Sequence, residues 1–534
     1  MSETKTVAAY PRLCLAYFLQ FAAWGSYGFA LTGFAMNVLG FKGWEMGLLG
    51  AAIPIGALFA PIVGRIADRY MAAQKVLAIL HLLCAVLLVY VGMLARDSAH
   101  ASFWPMMIAL VFVGIFYMPT IPLINSIVFE HVPTRENAPR VFMFGTIGWI
   151  AVVLFIQAFF GGGNNNQFFY VGAACCAILA VYALTLPNTP PQAQTDEAGK
   201  KAPSAWGMLA DPKVAVFALT SLIAGIAACG VFFGTCFAML AQRGYPGGLA
   251  LTTLNQVSEV LFMALLPVFA MRFGLKNVIL MGIAAWIARY LCFMDAAFGL
   301  ALTGLLLHGI CYSFLYAGSY TYADKISAPE MKASVQSLVG FILLGVGQIG
   351  GYVMAGYLVD MYPPVVRNYA IAEDGTVALN VEKDGLPLPA WSDPAAADSA
   401  WNMLDLSQYV KSEEAKAADA ANAAKAIDFA SVAKDGKIDS TLLNAPELTE
   451  IASQDGSSKM PKAEVEQLFS QIQEKLGVPA ENGSINLTRA QYLQAQTNNW
   501  PRIFLVPALM MAVAFLFFLV FGKNPEMALE ESVK

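Results

Sequence analysis

The run Asn255-Gln256-Val257-Ser258-Glu259 sets four polar side chains, one of them a carboxylic acid, inside an otherwise apolar stretch. Gln256 and Glu259 are three residues apart, so they share one face of a helix. Glu259 stands roughly ten residues into that stretch, near the middle of what a membrane span would be. Burial there penalises the charged form of a carboxylate, which suits a group that takes up a proton and gives it back. The plainer alternative is a buried Glu that hydrogen-bonds a neighbouring helix. Ionisable groups inside a membrane are expensive and mark pathways by default, so the functional reading leads.

Other polar and aromatic residues are spaced along further apolar runs. Gln20, Trp24 and Ser26 occur in the first, Tyr117, Thr120 and Asn125 in the fourth, and Thr146 and Trp149 in the fifth. Arg289 lies in the ninth, His308, Tyr312 and Ser313 in the tenth, and Gln336 and Gln348 in the eleventh. All could line a central cavity. Trp24 and Trp149 could stack on a ring-shaped solute, or simply pack. His308 titrates near neutrality and fits a proton relay, or is a satisfied core histidine. Arg289 stands towards the outer end of its run, where snorkelling of its head group is the plainer reading.

Only a membrane gives these residues their setting. Of 534 residues, 58% are apolar and 13% charged, against about 25% charged in a soluble protein. The deficit is uneven, because residues 361–500 are polar and hold most of the acids. The rest is almost continuously hydrophobic, more apolar surface than a water-soluble fold can bury. A span needs roughly 20 apolar residues, and twelve stretches qualify: about 13–36, 45–65, 75–95, 103–127, 143–161 and 167–187, then 213–240, 249–271, 277–296, 299–323, 334–360 and 501–522. The expected architecture is therefore an all-α membrane protein of two six-helix halves. Its parts are a first half at 1–187, a linker at 188–212, helices 7–11 at 213–360, an insert at 361–500, and helix 12 with a tail at 501–534.

Lysine and arginine in the short loops set the orientation. Arg65, Arg69, Lys75, Arg135, Arg140, Lys200, Lys201, Lys213, Arg272, Lys276, Lys325 and Lys332 fall on one side, and Lys42, Arg96 and Arg243 on the other. Both termini are thus expected in the cytoplasm of an inner, multi-pass membrane protein, with the insert outside. Within the insert, 399–432 and 462–476 read as amphipathic helices, which predicts a small helical cap; the alternative is a mostly disordered polar tract. Met1–Pro11 is short and polar without a small-residue cleavage site, so no cleaved signal peptide is expected.

The run Gly64-Arg-Ile-Ala-Asp68-Arg69 follows span 2 and can pair charges across helix ends, a latch for one of two alternating states. Arg272-Phe-Gly-Leu-Lys276 is a degenerate echo after span 8. A net charge of −5 gives no basic footprint for nucleic acid. The eight cysteines all lie in apolar runs and read as packing residues, with no metal site and no cofactor. No HExxH, Gly-x-Ser-x-Gly or phosphate-binding glycine loop occurs, so neither an enzyme nor an ATP-driven pump is expected.

Several segments carry a joint resemblance. Phe18-Leu-Gln-Phe-Ala-Ala-Trp24-Gly-Ser26, Phe116-Tyr-Met-Pro119-Thr120 with Asn125 behind it, Gly145-Thr146-Ile-Gly148-Trp149, Gln256-Val-Ser-Glu259, Ala285-Trp286-Ile-Ala-Arg289 and Lys332-Ala-Ser-Val-Gln336 are similar in order and spacing to the nucleoside:proton symporter family. The Gly64–Arg69 motif and the 6 + 6 pattern resemble its parent, the major facilitator superfamily. The resemblance spans all twelve stretches but not the insert. It implies that Gln256 and Glu259 contact sugar hydroxyls or take part in proton coupling, and that Thr146 and Trp149 border the same cavity. It also implies proton symport by alternating access in a monomer, with lipid, protons and a small solute as partners.

The chain departs from the family where an Asp is expected at Ser313 and an Arg at Phe142, while polar contacts expected in span 7 are replaced by Ala228 and Val231. Joint loss of a buried charge pair is compatible with folding, but it shifts the specificity of a hydrogen-bonding site. A nucleoside is the first expectation for the solute, with a sugar or other small polar metabolite as the alternative. From a different class, the fold could serve a solute sensor that signals through the insert.

Overall fold

The computed structural model describes residues 3–97, 101–132, 138–191, 209, 212–326 and 332–362, ten short strands between 365 and 497, and residues 498–523 with 525. Contacts divide the chain into two units, Met1–Tyr362 with Trp500–Lys534, and Pro363–Asn499.

The first unit is helical. With no water in hydrocarbon to satisfy the backbone, a helix is the form an apolar run must take. Helix α1 is Glu3–Gly28, continued after a break at Phe29 as Ala30–Asn37. Next come α2 (Gly43–Arg69), α3 (Ala73–Leu94), α4 (Phe103–His131), α5 (Ala138–Phe160) and α6 (Gln167–Ala183). The later set is α7 (Val214–Gln242), α8 (Gly248–Phe273), α9 (Leu275–Met294), α10 (Phe298–Ile326), α11 (Leu338–Met361) and α12 (Trp500–Phe521). Ten of these, α2–α5 and α7–α12, are long and apolar enough to cross a membrane, while α6 is shorter at Gln167–Ala183. Large apolar side chains such as Leu82, Val86, Met93, Ile108, Val181 and Leu516 are exposed on the outer helix faces, as a lipid solvent requires.

Proline shapes α2, where Pro54 precedes a tight 3₁₀ turn at Gly56–Phe59. In the second half, α7, α10 and α11 each contain a π-helical stretch, at Ile226–Gly230, Ser313–Ala317 and Phe341–Gly347. Ala228 inside the first of these has φ −91° and ψ −110°, outside the helical region.

Within each half the helices pack laterally: α1 on α5 and α6, α3 on α4 and α6, α9 on α12 and α10, and α8 on α10. The halves meet through their insert-side segments. Gly43–Ile55 of α2 lies along Gln348–Met361 of α11, Ala30–Asn37 of α1 along Val231–Gln242 of α7, and α5 along α8. At the opposite end, Ala60–Arg69 and Lys332–Gly340 pack against helices of their own half. Glycines bring the backbones of α2 and α11 close together along their seam. A Cβ on Gly356 would stand 2.3 Å from the Gly43 carbonyl oxygen, and one on Gly47 would stand 2.6 Å from that of Tyr352.

In the second unit the described residues form five antiparallel two-stranded pairs, among them Val365–Val366 with Gln496–Thr497. The helix expected over 399–432 is interrupted by a strand at Trp401–Asn402, which pairs with Asn486–Leu487. The remainder of that stretch and the 462–476 stretch lie outside the described residues.

Candidate functional site

In the second half, α8, α9 and α10 bring one buried polar chain together. Arg289 is 0% exposed. Its Nη2 donates to Asn255 Oδ1 at 2.9 Å and its Nη1 lies 2.7 Å from His308 Nδ1. The His308 Nε2 in turn lies 3.7 Å from Glu259 Oε2. The guanidinium carbon sits 3.4 Å from the centre of the Phe232 ring, a close cation–π stack. The expectation that Arg289 snorkels is therefore corrected: its side chain turns into the protein, where an aromatic face and two side-chain acceptors replace water. Glu259 keeps 24% of its side chain exposed, whereas His308 behind it is buried.

The helices hold this chain by close approach. Ser258 Oγ accepts from the backbone N–H of Gly309 at 2.9 Å, and a Cβ on Gly309 would stand 2.1 Å from the Ser258 carbonyl oxygen. Glycine at 309 is what lets α10 come near enough to α8 for His308 to reach Glu259. Ser313 Oγ lies 3.5 Å from the Glu259 carbonyl oxygen, at the edge of hydrogen-bond range.

The first half holds a second polar chain, linked by successive hydrogen bonds. His81 Nε2 is 2.7 Å from Gln20 Oε1, Gln20 Nε2 donates to Thr120 Oγ1 at 2.7 Å, and Thr120 Oγ1 donates to the Tyr117 carbonyl at 2.6 Å. Tyr117 O–H closes the loop by donating to the Gln20 carbonyl. Because Gln20 donates through its nitrogen, its oxygen must accept, so His81 carries its proton on Nε2. Gln20, Tyr117, Thr120 and His81 are buried within this half. Asn125 is half-buried and accepts from Tyr17 O–H at 3.1 Å. Phe142, where the resemblance implies an Arg, packs its ring 5.0 Å from Tyr17 and 5.6 Å from Phe129.

Between the halves runs an aromatic wall. Trp24 meets Trp149 edge-on at 5.4 Å, Phe29 stacks on Phe233 at 4.5 Å, and Trp149 stands 6.4 Å from Phe233. Trp149 is seated in a notch of α1, with a Cβ on Gly28 only 2.6 Å from its ring. Beside the wall lies a cleft lined by Trp24, Tyr27, Thr32, Met118, Gln348 and Tyr352. Three buried polar atoms in this neighbourhood and on α8 have no hydrogen-bond partner among the described residues: Tyr27 O–H, Trp149 Nε1 and Gln256 Oε1. A buried polar atom without a partner costs about 1–3 kcal/mol, and a ligand that pairs with it recovers that cost.

The Gly64–Arg69 motif, which the sequence places after span 2, is helical: it forms the C-terminal end of α2, with Asp68 and Arg69 exposed. Asp68 lines a cleft with Ser126, Glu130 and Thr189. The first residues of the linker are tied down beside it. Gln74 receives the Thr189 N–H at 3.0 Å and donates to Asn188 at 2.7 Å, while the Ala73 N–H donates to the Thr189 carbonyl at 3.0 Å. Of the basic residues, Lys276 Nζ donates to the Leu519 carbonyl at 2.8 Å and so caps α12. Arg243 donates to the carbonyls of Asp295 and Phe293 at 2.6 and 2.8 Å, capping α9, which gives this insert-side cation a structural task.

The structure thus brings Gln256, Glu259, His308, Tyr312 and Ser313 together in the second half, with the Tyr312 ring stacked 5.7 Å from that of His308. It brings Trp24 and Trp149 to the wall between the halves, with half-buried Thr146 one turn before Trp149 on α5, and places Gln20 and Tyr117 in the interior of the first half. Two residues escaped the reading of the sequence. His81 was legible as a lone titratable group in an apolar run. Asp360, which ties α11 to α2, sits at a span end where an acid is ordinary.

A family model described as Nucleoside H+ symporter matches residues 8–369. The chain is 34% identical over 367 residues to the "Putative nucleoside transporter YegT" of Escherichia coli (strain K12), covering 65% of this chain and 84% of that one. It is 28% identical over 376 residues to the "Xanthosine permease" of the same organism, covering 66% and 88%. Among solved structures, a mutant of the nucleoside transporter NupG aligns with a TM-score of 0.62 and 26% identity, over 66% of this chain and 92% of that one.

Proposed function

The chain belongs to the nucleoside H+ symporter family, and on that premise we propose that it imports a nucleoside together with a proton by alternating access of its two six-helix halves. Twelve spans, cytoplasmic termini and an external insert complete this reading, which the lysine and arginine distribution supports. The halves touch through their insert-side segments, so the arrangement is that of a carrier closed towards the insert.

The observation that carries the proposal is the position of Glu259. It is a carboxylate on α8 with a quarter of its side chain exposed and a buried histidine 3.7 Å behind it. Such a carboxylate can reach solute and solvent in one state of the carrier and be sealed in the other. Trp149 N–H and Gln256 Oε1 supply a donor and an acceptor for the solute, and the Trp24–Trp149 wall supplies the flat apolar face that a nucleobase needs. Ser313 and Phe142 are each satisfied locally, the one near the Glu259 carbonyl and the other among aromatic rings, so the fold has no need of the charged pair the family resemblance implies at these positions.

The test is uptake of radiolabelled uridine and adenosine into proteoliposomes with and without an inward proton gradient. Glu259→Gln is expected to abolish gradient-driven accumulation while sparing solute exchange between two labelled pools, which needs no net proton movement. Accumulation by the variant equal to wild type would overturn the role of Glu259. No uptake of either nucleoside by folded wild-type protein would move the substrate to the sugars.

A further inference from the structure

We propose that Arg289 is a positioning residue for proton coupling: by donating to His308 Nδ1 it holds the imidazole as the Nε2–H tautomer aimed at Glu259, and its charge opposes protonation of that carboxylate. This rests on the reading of Glu259 as the coupling group and assigns its regulation to a residue that touches neither solute nor Glu259.

The geometry leaves little choice of tautomer. A guanidinium has donors only, and Arg289 Nη1 lies 2.7 Å from His308 Nδ1. That nitrogen must present its lone pair, so the proton of the neutral ring sits on Nε2, the atom 3.7 Å from Glu259 Oε2. Protonating Nδ1 would set an imidazolium N–H against a guanidinium N–H in a fully buried site. Glu259 is the carboxylate on the far side of the ring, 3.7 Å from Nε2. Asn255 Oδ1 and the Phe232 face fix the guanidinium from two further sides. His308 is itself held between rings, with Phe232 5.4 Å and Tyr312 5.7 Å away.

Among the described residues, the other titratable groups facing Glu259 and Arg289 are thiols and phenols: Cys229 and Cys236 on α7, Tyr290 on α9, and Cys311 and Tyr312 on α10. Such groups ionise above neutrality even in water. Arg289 is thus the permanent charge among these groups.

The experiment measures the pH profile of proton-driven uridine uptake, and of uridine exchange, in proteoliposomes holding the full chain. For Arg289→Gln the midpoint of proton-driven uptake is expected to move to higher pH by roughly one unit, the effect of losing one nearby positive charge, while the exchange KM changes less than about threefold. Arg289→Lys, which keeps both charge and donor, is expected to restore the wild-type midpoint. A purely structural role would lower uptake at every pH and leave the midpoint in place, and that result would overturn the proposal. If Glu259→Gln keeps the wild-type profile, the reading of Glu259 fails instead. Should Arg289→Gln not fold, ¹⁵N spectra of histidine-labelled wild type decide the matter, with the His308 signal assigned by its loss in His308→Asn. The Nε2–H tautomer across the pH range of transport is the expected result, and an imidazolium or an Nδ1–H ring would overturn it.

Discussion

The carboxylate of Asp360, at the end of α11, accepts hydrogen bonds from the backbone N–H groups of Gly43 and Trp44 at 2.7 and 2.8 Å. These are the first two residues of α2, so an acid from the second half caps a helix of the first. Such a cap satisfies orphan donors and answers the positive end of the helix dipole. It can form only while the insert-side seam is closed.

Asp360→Ala is therefore expected to weaken the closed state by about 1 kcal/mol, a cap exposed to solvent rather than a buried one, and so to favour opening roughly five-fold. Asp360→Asn keeps an acceptor and should fall between. The measurement is the rate at which a cysteine placed at Thr32, a residue buried in the inter-half cleft, is labelled from the insert side.

Gly356→Ala acts on the same seam by a different force. Its new methyl would lie 2.3 Å from the Gly43 carbonyl oxygen, a backbone atom that cannot swing away. Net uptake is expected to fall at least tenfold with the protein held open on the insert side, in the same labelling assay. Unchanged uptake would mean that the two helices separate further than the closed seam requires.

Two tryptophans separate solute recognition from folding. Trp149 Nε1 has no partner among the described residues, whereas Trp286 Nε1 donates to the Cys311 carbonyl at 3.2 Å. Trp149→Phe should raise the uridine KM about tenfold, the loss of one hydrogen bond to solute, and leave thermal stability intact. Trp286→Phe should lower the melting temperature by a few degrees through an orphaned carbonyl, with KM little changed.

The insert is a compact unit of its own, and the family match ends at residue 369. Replacing residues 365–498 by a flexible linker is expected to leave gradient-driven uptake within about threefold of wild type. Complete loss of uptake in a correctly inserted deletant would make the insert part of the transport machinery.

The sequence made the spans legible because hydrocarbon admits few alternatives: an apolar run of the right length must be a helix, and ten such helices stand where the runs predict them. Glu259 was legible for the same reason, as a costly group in an apolar setting. What stayed hidden depends on contacts between helices. Arg289 looked like a snorkelling end because its depth along the helix says nothing about which face it occupies. Its partners His308 and Asn255 lie 19 and 34 residues away in the chain. Gln20 and Tyr117 read as cavity residues, yet Gln20 bonds α4 and His81 on α3, and Tyr117 bonds the Gln20 carbonyl. No periodicity distinguishes a polar residue that faces a solute from one that faces a neighbour.

The π-helical stretches of α7, α10 and α11 carry a mechanical consequence. Each holds surplus residue length relative to an α-helix of the same rise, and all three described here lie in the second half. A stretch of this kind interrupts the regular α-helical hydrogen-bond ladder and is a place where a helix bends. Helices α7, α10 and α11 therefore each carry a point of bending along their length.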